Sequence, residues 1–347
     1  MPWKGEKDPY KIWISEIILQ QTRVAQGLEY YNRFIKSFPT VHHLAKATEQ
    51  NVYKHWEGLG YYSRCRNLIE SAKHISKELK GVFPSNYNEI IKLKGVGDYT
   101  ASAIASFAFN EPRAVLDGNV FRVLSRYFGI DTPIDSKTGK EQFSKLSLQL
   151  LDKKQPGIYN QAIMDFGAEV CKPKAECAIC PLTKGCVAFA ENRVNTLPVK
   201  ENRILIKERW LYYLLVKYKG KYYVRQRTTK DIWHNLYEFI LIETPKNTGI
   251  NKLRTVLVKD IIDVSCEIMS VSELYTHKLT HQTIHGRLIE IEVKSPLKSI
   301  DYQLVSSKKL KELAFPKFIN SYLKDRNLSL NLFLPPEKGR GTIESKR

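Results

Sequence analysis

From Tyr10 onward the chain runs Ile12-Trp13-Ile14-Ser15-Glu16-Ile17-Ile18-Leu19-Gln20-Gln21-Thr22, with apolar positions over most of a helical surface rather than along one stripe. That pattern predicts a helix buried nearly all round. Helices of ordinary length follow, punctuated near Phe38-Pro39, Gly58–Gly60 and Phe83-Pro84-Ser85-Asn86. Asn86-x-x-Glu89 has the form of a capping box opening a helix. Tyr99 to Phe109, carrying Ala101, Ser102, Ala103 and Ala105, predicts a second helix able to pack closely. Gly95-Val96-Gly97 connects the two, and Asp117 opens a further apolar-periodic segment. No strand pattern stands out before about residue 205, so the first half reads as all-α.

The texture then changes. A charged stretch containing Leu197-Pro198-Val199-Lys200 reads as a linker over 191–208. Trp210–Lys217 and Lys221–Arg227 are strand-like and joined at Lys219-Gly220, a hairpin signal. More β-rich sequence lies at Tyr237–Glu243, Ile262–Met269 and Arg287–Val293, with helix-like stretches at Asn251–Val258 and Ser306–Leu313. The expectation is a second domain of α+β type over 209–334, then a polar tail, 335–347, expected to be disordered.

Length, charge and cysteine usage narrow the classes. At 347 residues the chain can hold two domains with proper cores. No apolar run approaches the ~18–20 residues of a membrane span, and no basic-then-apolar leader opens the sequence. A formal charge of +19 points to a polyanionic partner, the alternative being a merely lysine-rich composition. Six cysteines are too few for a disulfide scaffold at this length, and four crowd into C-x5-C-x2-C-x5-C at Cys171, Cys177, Cys180 and Cys186. A structural zinc usually draws on two C-x2-C knuckles, and only one is present. Four thiolates on a short loop suit a cubane 4Fe–4S cluster better, with zinc as the alternative. Lys172, Lys174 and Lys184 make the loop basic, so it can also touch phosphate; Cys65 and Cys266 lie outside it.

Two carboxylates carry the candidate chemistry. Glu16 is the only charge between Lys11 and Arg23, and desolvation there should raise its pKa, which suits a general acid. The plainer alternative is a Glu that meets solvent through a gap in the packing. Asp117 has the ordinary reading of a helix N-cap, and as an anion at a helix N-terminus it is favoured in its ionised form. Gly95 and Gly97 can leave backbone N–H groups facing a phosphate, or make only a tight turn; they match neither a dinucleotide fingerprint nor a P-loop. Trp56–Arg64, dense in Tyr and Arg, suits contact with base steps and phosphates, or else half-buried packing of Tyr61 and Tyr62.

With these motifs laid out, the chain resembles the adenine DNA glycosylases of the MutY type, within the helix-hairpin-helix base-excision glycosylases. Ser15–Thr22, Trp56–Arg66, Gly95-Val96-Gly97, Val115–Arg126, the cysteine loop and the region after Leu197-Pro198-Val199-Lys200 carry the resemblance over nearly the whole length. It implies a glycosylase region over 1–190: a six-helix barrel at about 20–115, and a cluster lobe at about 116–190 with the N-terminal segment. A Nudix-like 8-oxoguanine recognition domain follows. No G-x5-E-x7-R-E-x-x-E-E box occurs after residue 200, so nucleotide hydrolysis there is not expected.

By this resemblance the substrate is double-stranded DNA with adenine opposite 8-oxoguanine or guanine, and the cofactor is a 4Fe–4S cluster on the four cysteines. The protein is expected to be a cytoplasmic, nucleoid-associated monomer of bacterial type without a membrane partner. Glu16 would protonate N7 of adenine and later activate water. Asp117 would stabilise or trap the oxocarbenium-like sugar, Asn119 would orient water or bond the carboxylates, and Tyr99 would border the site. Gln21 and Tyr61 match the wedge residues, and Gly95 and Gly97 the grip on a phosphate. Trp3, Lys4 and Gln161 would line the base pocket, and Thr280 and His281 would face 8-oxoguanine. Tyr99 stands where the lyase branch carries lysine, which implies a monofunctional enzyme.

The sequence departs from the family at four places. The cysteine loop is one residue short, and the Leu-Pro-Trp-Arg segment, which a helix normally precedes, here reads Met1-Pro2-Trp3-Lys4 at the very start, so that either the helix is lacking or the true start lies upstream. Gln161 stands where some members carry Glu, and Leu279 replaces an aromatic ring in the loop that here reads His277-Lys278-Leu279-Thr280-His281. The rival readings are another helix-hairpin-helix mismatch glycosylase, such as a thymine enzyme, and a non-catalytic DNA-binding protein.

Overall fold

The computed structural model describes residues 4–22, 24–201, 205–249, 251–253, 262, 265–298, 301–326 and 328. Trp3, the tail 335–347 and most of the helix expected at Asn251–Val258 fall outside these. The chain forms two compact units: Met1–Ala47 with Ser63–Ile204, and Thr48–Tyr62 with Leu205–Arg347.

The first unit is helical. Asp8 caps α1 (Pro9–Leu19) by accepting from the Tyr10 N–H at 2.9 Å, and Pro9 supplies the pre-set first turn. Every residue from Ile12 to Ile18 is buried, including Ser15 and Glu16, as the lack of a polar stripe required. The helix ends at Leu19 rather than running to Thr22. Arg64 accounts for this: its guanidinium donates to the carbonyls of Ile17 at 2.8 Å and Ile18 at 3.2 Å and also bonds that of Gln20, taking up the orphan acceptors of the last turn. Gln21 then leaves at φ 55°.

After α2 (Val24–Ser37) and α3 (Val41–Lys46), and beyond α4 (Glu49–Trp56), α5 (Tyr62–Lys77) leads to the hairpin. Asn86 caps α6 (Tyr87–Ile90), a single turn, by accepting from the Glu89 N–H at 3.1 Å. Gly95 takes φ +76°, and a Cβ there would lie 2.6 Å from that of Asn67, so this connection requires glycine on two counts. α7 (Asp98–Phe109) then packs against α1, and its Ala101, Ala103 and Ala105 are fully buried. The chain continues through α8 (Gly118–Phe128), α9 (Lys137–Leu150) and α10 (Pro156–Glu169). Buried Asn160 on α10 bonds the Val115 N–H, the Arg113 carbonyl and the Ser106 hydroxyl, and so fixes the extended segment that delivers Asp117 to α8. Two 3-10 turns and α11 (Val187–Ala190) complete the cysteine region.

The second unit is built on a mixed sheet. β1 (Lys207–Tyr218) and β2 (Lys221–Gln226) form the expected hairpin, with Lys219 and Gly220 at positive φ. The Tyr237–Glu243 stretch, expected as one strand, divides into β3 (Tyr237–Glu238) on β2 and β4 (Ile240–Thr244) on β1. β5 (Cys266–Val271) and β6 (Tyr275–Lys278) both pair with β7 (Gln282–Val293). β7 starts five residues before the expected Arg287 because its parallel ladder with β1 begins at Lys207↔Gln282. β6 was not foreseen; Tyr275-Thr276-His277-Lys278 carries little apolar alternation and is a strand through its pairing alone. β8 (Gln303–Ser306) precedes α12 (Ser307–Glu312), which Ser306 caps, and α13 (Lys317–Asp325) lays Phe318 against Tyr213 and Tyr275.

α4 belongs to this second unit, although the chain reaches it early. Lys54 and Glu57 form a buried ion pair at 2.9 Å; Lys54 also donates to the Leu313 carbonyl, and Glu57 accepts from the Phe315 N–H at 3.0 Å. Nothing in the local pattern of 48–62 distinguishes it from the helices around it, so the sequence order hid this grouping.

The β1–β7 ladder leaves no room opposite Leu211. A Cβ on Gly286 would sit 1.7 Å from the Leu211 carbonyl oxygen. Gly286→Ala should therefore lower unfolding stability by about 3 kcal/mol or more, measurable as a shift of the denaturant midpoint for the transition that reports the β-rich unit.

Candidate active site

Three elements of the helical unit bring the catalytic candidates together. α1 carries Glu16, 7% exposed, into an apolar interior. The first turn of α7 carries Tyr99, whose hydroxyl donates to the Glu16 carboxylate. Asp117 caps α8: one of its oxygens accepts from the Val120 N–H at 2.7 Å and the other from Asn119 Nδ2 at 2.7 Å. The ordinary N-cap role and a chemical role thus coincide in one side chain.

Burial dominates the electrostatics. It pushes Glu16 from the usual 4.5 up to about 7, against the hydrogen bond from Tyr99; the negative charge of Asp117 adds to the rise. Asp117 also lies above the ordinary carboxylate range. The helix N-terminus was expected to favour its anion, but desolvation outweighs the bonds from Val120 and Asn119 and the field of Arg122. Tyr99 is held well above a normal phenol by burial and by both carboxylates, so it remains a donor.

Asn119 is itself anchored. Arg122, four residues beyond Gly118 on α8, donates to Asn119 Oδ1 at 2.8 Å, to the Gly167 carbonyl at 2.7 Å and to the Cys171 carbonyl at 2.7 Å. Gly167 permits this approach, since a Cβ there would meet that of Asn119 at 2.8 Å. A continuous polar chain therefore joins Asp117 to the first cysteine. Sequence reasoning missed Arg122; its only signal was a basic residue little more than one turn past the Asp117 cap.

Glu16 opens onto a cavity of about 340 Å³ that is also walled by Ser15, Phe107, Ile158 and Gln161, a volume within the small-molecule range. Gln161 Nε2 donates to Asp165 at 2.9 Å, and Lys4 pairs with the other oxygen of Asp165 at 2.6 Å. Of the three pocket candidates, Lys4 and Gln161 thus meet through Asp165, while Trp3 lies outside the described residues.

The four cysteines line one small, apolar cavity with Arg126. Arg126 is buried and its guanidinium bonds the carbonyls of Lys172 at 2.9 Å, Pro173 at 3.0 Å and Leu197 at 3.1 Å, which shapes the loop from within. None of the four is in a disulfide, and burial together with the other three sulfurs pushes the Cys177 thiol up. Among the described residues no group of three or more His, Cys, Asp or Glu side chains is arranged to hold a metal ion. The donor set is four soft thiols around a shared space, with a guanidinium close enough to offset thiolate charge, and these residues suit a sulfur-ligated group.

The nucleic-acid candidates fall in three places. Gln21 is exposed at the end of α1. Gly97 caps α7 without a side-chain bond, and a Cβ on it would meet nothing within 4 Å, unlike Gly95, so open space faces the N-terminus of α7. In the second unit Tyr61, at φ 48°, hydrogen-bonds the hydroxyl of Thr280. Thr280 and His281 form the exposed tip of the β6–β7 hairpin, where the His281 carbonyl accepts from the Lys207 N–H at 3.0 Å. Candidates 219 residues apart are adjacent.

A helical hairpin presenting a bare helix N-terminus, beside a buried acid and a second carboxylate, defines a helix-hairpin-helix base-excision glycosylase. The family profile of the HhH-GPD superfamily base excision DNA repair proteins matches residues 14–147, and that of the NUDIX domain matches 211–325. The adenine DNA glycosylase of Buchnera aphidicola subsp. Schizaphis graminum is 35% identical over 288 residues, covering 82% of this chain and 81% of that protein. That of subsp. Acyrthosiphon pisum is 33% identical over 344 residues, covering 96% and 94%. Among solved structures, a thermostable thymine-DNA glycosylase aligns at a TM-score of 0.51 with 29% identity, covering 55% of this chain and 88% of that one. The chain belongs to the adenine DNA glycosylase family and is a DNA glycosylase. Among the described residues no helix is long and apolar enough to cross a membrane.

The position of Glu16 has a consequence for stability. Its native pKa of about 7 exceeds the usual 4.5, so its contribution is fully present below about pH 4.5 and is lost as pH rises through about 7, by on the order of 3 kcal/mol. Glu16→Gln should therefore match the parent near pH 4.5 and exceed it by that order at pH 8, in denaturant unfolding followed at the two pH values.

Proposed function

We propose that this enzyme is a monofunctional glycosylase that removes adenine mispaired with 8-oxoguanine or guanine in duplex DNA. The observation that carries the reading is the buried Glu16, with its pKa near 7, within reach of the field of Asp117 and open to a cavity. Adenine release needs one neutral acid and one anion, the division of labour used by glycosidases.

The target nucleotide is flipped from the stack into the cavity, with Gln21 filling the vacated space and Gly95-Val96-Gly97 holding a phosphate of the same strand. Glu16 gives its proton to N7 of adenine as the bond from C1′ to N9 breaks, and the electron pair leaves with the base. Asp117 stabilises the positive charge that develops on the sugar or traps it at C1′. Asn119 orients Asp117 and the attacking water. Water then adds at C1′, its proton returns to Glu16, and the products are adenine and an abasic site. Tyr99 holds Glu16 through its hydroxyl and offers no amine for a Schiff base, so strand cleavage does not follow.

Cys171, Cys177, Cys180 and Cys186 would hold a 4Fe–4S cluster, whose chemistry here is to tie the loop into one rigid, DNA-facing body. The second unit reads the opposite base through Thr280 and His281 with Tyr61 beside them, and the full-length similarity to adenine enzymes favours this over a thymine-mismatch activity. The protein acts as a monomer in the cytoplasm, and its net charge of +19 draws it to DNA.

Incubation with duplexes carrying adenine opposite 8-oxoguanine, guanine or thymine should release adenine fastest opposite 8-oxoguanine; thymine release from a G:T duplex instead would identify the rival specificity. Glu16→Gln should slow release by about 10²–10⁴-fold while duplex binding is retained. Abasic DNA should remain un-nicked and untrapped by borohydride. Purified protein should be brown and carry about four irons per chain, and Cys180→Ser should lose iron and weaken duplex binding.

A further inference from the structure

The adenine-removal reading leaves Asp165 without a role, although both of its carboxylate oxygens are engaged at the cavity wall. It lies one turn after Gln161 on α10 and uses both carboxylate oxygens: one accepts from Gln161 Nε2 at 2.9 Å, the other from Lys4 Nζ at 2.6 Å. A carboxylate only accepts, whereas an amide has one accepting and one donating end. The donating end of Gln161 is therefore committed to Asp165, and its Oε1 accepts no bond from the described residues. Gln161 and Glu16 line the same cavity. A base receiving a proton from Glu16 would thus present an edge to a wall that offers an acceptor at Gln161.

We propose that Asp165, held by Lys4, is a positioning residue that fixes the orientation of the Gln161 amide, so that the cavity selects bases bearing an exocyclic amino group. This rests on the adenine-removal reading and adds the origin of its base selectivity. An amino group at the six position of a purine donates to Oε1. A carbonyl at that position brings two acceptors face to face and leaves both unpaired, which a closed site penalises strongly.

Replacing the carboxylate by an amide undoes the constraint. In Asp165→Asn, Lys4 still claims the side-chain oxygen, and the new Nδ2 faces Gln161. The Gln161 amide then turns its oxygen toward Asn and its donor toward the cavity. Adding Gln161→Glu restores an acceptor, because a carboxylate can accept from Asn and still present its second oxygen to the base.

The test compares release of adenine and of hypoxanthine, which carries a carbonyl in place of the amine, from otherwise identical duplexes opposite guanine. The adenine-to-hypoxanthine ratio of kcat/KM should fall at least about tenfold in Asp165→Asn and return to within about threefold of the parent in the double variant. Because each protein is its own reference, a general loss of folding or activity would not move the ratio. An unchanged ratio in Asp165→Asn, or no recovery in the double variant, overturns the assignment while the adenine reading stands. Failure of the parent enzyme to release adenine overturns that reading, and this assignment with it.

Discussion

The cost of placing an ionisable group in a helix with no polar face governs the architecture of the helical unit. α1 is enclosed on every side because its residues offer nowhere to stop the packing, and Glu16 is enclosed with it. A buried carboxylate must be neutral or find partners. The partners here are few: one phenol on α7 and, further off, a second carboxylate of the same sign. The result is a proton held near neutrality rather than a quenched ion pair, and a poised proton is useful only where a leaving group can take it. The cavity beside Glu16 supplies that place.

Much of the surrounding structure keeps the second carboxylate different from the first. Asp117 is also buried, yet it accepts from a backbone N–H and an amide, and Arg122 contributes a positive field. Both groups rise, but Glu16 lacks these compensations. The difference between them is thus made by α8 and by the Asn119–Arg122 chain that ends on the cysteine loop. In this way a loop on the far side of α8 helps set the geometry at Asp117, and the buried Arg126 keeps that loop in shape.

Helices, their caps and the small-residue packing face were legible because each has a local cause. The apolar surround of α1, the caps at Asn86 and Asp117 and the Lys219-Gly220 turn all follow from residues within one or two turns. What escaped depends on distant partners. β6 is a strand only because β7 lies alongside, and α1 stops at Leu19 because Arg64 reaches its carbonyls. The grouping of α4 with the β-rich unit rests on Leu313 and Phe315, more than two hundred residues away. The site shows the same division. Glu16 and Asp117 stood out by local context, whereas Arg122 and Asp165 matter only through what they touch. For Asp117 the favourable bonds of the helix terminus were visible in sequence, whereas the depth of burial that works against them was not.

Catalysis as proposed depends on Glu16 being the acid and holding its proton near neutral pH. Its most direct test is the single-turnover rate of adenine release from an adenine:8-oxoguanine duplex as a function of pH. The rate should be high below neutrality and fall with an apparent pKa near 7, and in Glu16→Gln the slow residual reaction should lose that limb. A rate that stays flat from pH 6 to 8, or a falling limb that persists unchanged in Glu16→Gln, would contradict it.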